Sequence, residues 1–154
     1  MLSREEQRQI NTEFWNGFKE FTKKTKSSNG RRINWLSYPS DAKDVYIRMH
    51  VDTKSAGLFF DIQPKDEGVR AILWEQMTEL RKVMESTMQI KGEWIENLTL
   101  NDGRIISRIA WTHSGLNYLK KEDHQEIYLF LRDTFVAFDS FYQEFKDILI
   151  NLID

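Results

Sequence analysis

The stretch Val45-Tyr46-Ile47-Arg48-Met49-His50-Val51-Asp52 alternates apolar and polar residues without a break. Side chains of a strand point alternately to its two faces, so Val45, Ile47, Met49 and Val51 belong to a core. Tyr46, Arg48, His50 and Asp52 then form a second face of different character. The residues on either side supply a sheet to hold this strand. Segments 33–38 and 58–63 read as its neighbours in a meander, separated from it by a turn containing Pro39 and by one at Ser55, Ala56 and Gly57. Further on, 94–100 and 104–112 flank Asn101-Asp102-Gly103, and Asp-Gly suits the positive φ angles of a tight hairpin turn.

Helices fill the intervals. Ser3-Arg4-Glu5-Glu6 is a capping box, and Ile10, Phe14, Phe18 and Phe21 keep helical spacing behind it, with Trp15 widening the stripe. That helix should end near Ser27, before Ser28-Asn29-Gly30. Asp66 can cap a second helix reaching residue 84 or 87, with Val69, Leu73, Leu80 and Met84 along one side. Asp123-His124-Gln125-Glu126 opens a third as a second capping box, with no Pro or Gly before residue 152. The order α-βββ-α-ββ-α specifies a single α+β domain, 1–154, with a largely antiparallel five-stranded sheet covered on one face by helices.

Composition bounds the chemistry. The 154 residues contain no cysteine, which excludes disulfides, thiolate catalysis and cysteine-based zinc sites. A formal charge of −2 argues against a dedicated whole-surface nucleic-acid binder. The charged start MLSREEQRQI lacks the apolar stretch of a signal peptide, and no run approaches the length that crosses a bilayer. The expectation is a cytoplasmic protein without a membrane role. No nucleophile elbow, phosphate loop or metal-ligand cluster stands out, so no catalytic residue and no cofactor is assigned.

With a turn at 53–56, Arg48 falls opposite Asp61, His50 opposite Phe59 and Tyr46 opposite Gln63. Segment 33–38 fits in either register, with Ile33, Trp35 and Ser37 or Asn34, Leu36 and Tyr38 inward. One choice sets Trp35 beside Arg48, where it could stack. Two readings follow for Trp35, Tyr46, Arg48, His50, Phe59, Asp61 and Gln63. The plainer is an ion pair of Arg48 and Asp61 on a solvated face, worth about 0 to 1 kcal/mol. The sharper is a polar and aromatic surface that receives a ligand or a macromolecular partner.

Two other features draw attention. Lys23, Lys24, Lys26, Arg31 and Arg32 make an acid-free basic run that could touch phosphates, and equally suits a solvated helix end. In the last helix, Ile127, Leu131, Phe138, Phe141, Phe145, Ile148 and Leu152 approximate a heptad seam, with Tyr128, Phe135, Tyr142 and Leu149 as a second stripe. Either both stripes pack within the monomer or one is a homodimer seam.

In their order along the chain, FW at 14–15, INW at 33–35, YIRM at 46–49, DEGVR at 66–70 and ISRI at 106–109 form a series. It resembles the bacterial domain of unknown function (DUF) 4268 family over nearly the whole length. The resemblance implies small stand-alone proteins or domains attached to nuclease-like modules, and hence an association with DNA-processing systems. His50 stands where it implies an acidic residue. The leading expectation is a non-catalytic binding or assembly module. The alternative rests on the order helix, three strands, helix, strand, which resembles the core of the PD-(D/E)xK nucleases. That resemblance implies Asp44 and Asp61 as magnesium ligands, with Gln63 where a lysine is expected.

Overall fold

The computed structural model describes residues 1–153. Helix α1, Arg4–Phe21, starts at the expected capping box: Glu6 N–H donates to Ser3 Oγ, and Ser3 N–H donates to Glu6 Oε1. It ends earlier than its periodicity suggests. Thr22 is buried and its hydroxyl donates back to the Phe18 carbonyl, after which the chain turns away toward Ser27.

Strands β1, Val45–Val51, and β2, Ser55–Ile62, are followed by helices α2, Glu67–Glu79, and α3, Arg81–Met88. Strands β3, Glu93–Thr99, and β4, Ile105–Ser114, come next, and helix α4, His124–Ile153, closes the chain. The sheet is antiparallel and four-stranded among the described residues, ordered β1-β2-β4-β3. The α+β architecture with helices on one face stands, and the fifth strand does not form. Segment 33–38 contains a 3₁₀ turn at Trp35–Ser37. Asn34 Oδ1 accepts from Leu36 N–H and bends the backbone, while Trp35 and Tyr38 are both buried, which no alternating strand allows.

The predicted second helix divides at Leu80, whose N–H is shared between the Gln76 and Met77 carbonyls. Asp66 caps α2 as expected, accepting from Val69 N–H. Beyond the break, α3 turns Met84 and Met88 into the core.

One hydrophobic cluster joins Val45, Ile47, Leu58, Phe60, Ile109 and Trp111 of the sheet to α1, α2, α3 and α4. Both stripes of α4 are largely buried within the chain. Phe138 packs on Phe60 and Trp111, Tyr128 on Phe14, Phe18 and Phe21, and Phe135 on Trp35 and Tyr38. Ile148 and Leu152, at the end of the first stripe, remain exposed.

The connection between α1 and β1 is fastened to α4 by a buried carboxylate. Asp139, 0% exposed, accepts from Ser27 Oγ at 2.9 Å, Ser28 N–H at 2.7 Å, Tyr38 Oη at 2.6 Å and Gln143 Nε2 at 3.3 Å. That many donors compensate a buried carboxyl group for its loss of water. Burial, and then the bond to Asp139, keep the Tyr38 hydroxyl protonated far above the usual tyrosine range. Tyr38→Phe should destabilise the protein by about 1–3 kcal/mol in urea unfolding, since Asp139 loses its closest donor. Tyr46→Phe, on an exposed side chain, should change stability by less than about 0.5 kcal/mol.

Candidate functional site

The two faces of the β1–β2 hairpin are those the alternation predicts, and the register differs by two residues. Tyr46 lies opposite Asp61, Arg48 opposite Phe59 and His50 opposite Gly57. The cause is the turn. Asp52 N–H donates to the Ser55 carbonyl, leaving only Thr53 and Lys54 in the loop between that pair. Asp52 Oδ1 clamps this tight turn by accepting Lys54 N–H and Ser55 N–H, both at 2.8 Å. The Lys54 amide, then the His50 ring at 3.1 Å from Oδ2, bring the Asp52 carboxyl down to about 2. A shift of two preserves parity, so every side chain keeps its face while every pair changes.

Asp61 therefore does not pair with Arg48. Strand β4 places Arg108 directly beside it, and the guanidinium binds in a fork: Nε to Oδ1 at 2.7 Å and Nη2 to Oδ2 at 3.0 Å. The Asp61 side chain is 3% exposed and that of Arg108 21%, so this pair is largely removed from water. Arg108 also covers the Phe59 ring, 4.2 Å from its centroid, and His50 stacks on the same ring at 5.2 Å. Arg48 lies over Tyr46 at 4.5 Å. Arg48 belongs to none of the ion pairs among the described residues, and it is exposed together with Tyr46 and His50.

Among the described residues, the helices pack in the core cluster on the other face of the sheet. Phe59, Ile95, Leu98, Ile106 and Ala110, apolar members of the second face, lie outside the cluster that unites the other face with the helices. The edge at Tyr46, Arg48 and His50 is exposed, while Asp61, Ile106 and Ala110 toward the middle are buried.

Trp35 is not part of it. Its indole packs against Phe135 and donates from Nε1 to the Thr25 carbonyl, beneath α4. Gln63 lies beyond the ladder, where Oε1 accepts from Arg104 at 3.4 Å. Asp44 has a left-handed backbone, φ 59°, and its carbonyl accepts from Gln63 N–H. Lys23, Lys24, Lys26, Arg31 and Arg32 are all exposed along the connection that Ser27 ties to α4, apart from the sheet face.

Arg108 and Arg70 escaped the sequence reading. Arg108 acquires its partner only when β2 and β4 meet, a pairing that local spacing does not encode. Arg70 carried a visible sign, since it shares a helical face with Leu73 and Met77, and all three are buried.

Arg108→Ala should destabilise the protein by about 3–5 kcal/mol in chemical denaturation, because it strands a buried carboxylate. The double variant Arg108→Met/Asp61→Leu should recover much of that loss. Equal costs for the single and double variants would show that packing, not charge, sets the effect.

No curated protein and no solved structure matches the chain significantly. A family model does, described as Domain of unknown function (DUF4268) and matching residues 10–146. With most of its length matched, this chain belongs to the DUF4268 family.

Proposed function

We propose that this protein is a non-catalytic binding or assembly module that meets a macromolecular partner with the open face of its sheet. The observation that carries this reading is the exposed edge of the second face. Arg48 is held over Tyr46 with its guanidinium exposed and no carboxylate partner among the described residues, and His50 and Phe59 stack beside it. Side chains braced in this way lose less freedom on binding, which favours recognition. The two stripes of α4 are largely taken up inside the chain, so the sheet is the broader surface left for contact.

The same geometry weighs against a nuclease role. Asp61 would have to release both oxygens from Arg108 before it could hold magnesium. An association with DNA-processing systems, in the cytoplasm and without a cofactor, is the setting this reading proposes.

The test compares the wild-type chain with Arg48→Ala and Tyr46→Ala in affinity capture, beside plasmid incubation with magnesium or manganese. A partner retained by the wild type should be lost by both variants, while their melting temperatures stay within about 2 °C of wild type, as expected for surface changes. Partner capture undiminished in both folded variants would overturn the face as the site. DNA cleavage that disappears in folded Asp61→Asn would overturn the non-catalytic reading.

A further inference from the structure

We infer that the cleft where α2 begins, between the end of β2 and the β3–β4 hairpin, binds a phosphate group. The cleft encloses about 560 Å³ and adjoins the hairpin end of the second sheet face at Ile106, apart from Tyr46, Arg48 and His50. Its wall contains Arg70, a side chain of α2 in a residue only 6% exposed. Arg70 donates from Nη1 to the Ile105 carbonyl at 3.3 Å and from Nη2 to Asn97 Oδ1 at 2.9 Å. Both acceptors are neutral, and no ion pair among the described residues includes Arg70. A buried cation without a counter-charge is unfavourable, and a guanidinium has more donors than these two acceptors take.

The neighbouring groups complete a donor-rich wall. Between Ile95 and Leu98 the β3–β4 register slips by one residue, and Asn97 lies in this bulge with its oxygen on Arg70. The amide nitrogen of Asn97 is thereby left as a donor. Gln63 is arranged alike, its oxygen taken by Arg104 and its nitrogen unused. Arg104 and Lys65 add exposed positive charge from two other sides. Glu67 is the acid on the rim, and it is exposed.

Donors from α2, β3, the hairpin and the segment after β2 therefore converge from several directions. That arrangement suits a tetrahedral oxyanion with several acceptor oxygens better than a planar carboxylate. The volume falls within the range of small-ligand pockets, so it admits phosphate either free or carried on an organic group.

The test titrates the isotope-labelled full chain at low ionic strength with inorganic phosphate, adenosine monophosphate, adenosine and succinate, following backbone amides by NMR. Phosphate should shift Lys65, Asn97, Gly103 and Arg104 saturably, with a Kd of about 1 mM or tighter. Tighter binding of adenosine monophosphate, with no effect of adenosine, identifies a phosphate monoester as the ligand. Stronger binding of inorganic phosphate identifies the free anion. Arg70→Met should abolish the shifts while preserving burial. If that variant does not fold, the exposed pair Lys65→Ala/Arg104→Ala should weaken phosphate binding by about tenfold or more. Shifts reproduced by equal ionic strength of sodium chloride, equal binding of succinate, or unchanged affinity in a folded variant would overturn the proposal.

Discussion

Helix α4 buries apolar side chains toward several neighbours at once, and the placement of the other elements follows from that demand. Phe138 reaches the sheet through Phe60 and Trp111, while Tyr128 and Phe135 reach α1 and the connection that follows it. Side chains of this size each bring a large hydrophobic area out of water, so leaving one flank of α4 bare would be costly. The segment between α1 and β1 is accordingly held down along α4. It includes the short turn at Trp35–Ser37, which lets both Trp35 and Tyr38 point inward.

This use of the helices leaves none for the far side of the sheet. An antiparallel sheet tolerates that if its second face is compatible with water. Here the face is polar at its edge strand, with Tyr46, Arg48 and His50, and more buried toward the middle, where Asp61 and Arg108 lie. The ion pair and the cation over Phe59 let a half-buried ring and a buried carboxylate share the sheet centre. Openness of the face is thus a consequence of how α4 is packed.

Alternation at 45–52 was sufficient to divide core from second face, because parity survives any even slip of register. The identity of the cross-strand pairs was not legible from alternation, since one carboxylate in the turn, Asp52, decides the loop length through two backbone amides. The two inward registers available to segment 33–38 were themselves a sign, as a half-buried strand has one apolar side and this segment has two. Of the candidate site, Tyr46, Arg48, His50, Phe59 and Asp61 could be read together from local sequence. Arg108 could not, because its position beside Asp61 depends on a pairing between strands far apart in the chain. Trp35 lies apart from this face for the reason that makes it valuable to the core: its ring packs under α4.

Three buried charged residues among those described are stabilised by different means, and the contrast shows where ligand chemistry is left over. Asp139 is surrounded by hydroxyl, amide and backbone donors from two segments. Asp61 is anionic and meets a guanidinium in matched geometry. For each, the protein supplies a strong complement to the charge, and the result holds elements together. Arg70 meets only a carbonyl and an amide oxygen, both neutral, at the wall of a cleft with further cations. A hydrogen bond between charged partners is roughly twice as strong as one between neutral groups, so neutral acceptors compensate a buried guanidinium incompletely. The same bulge that brings Asn97 to Arg70 leaves an amide donor beside it, which increases the positive character of the site. The fold has thus completed the charges that join its layers and left the one at its open end to be completed from outside.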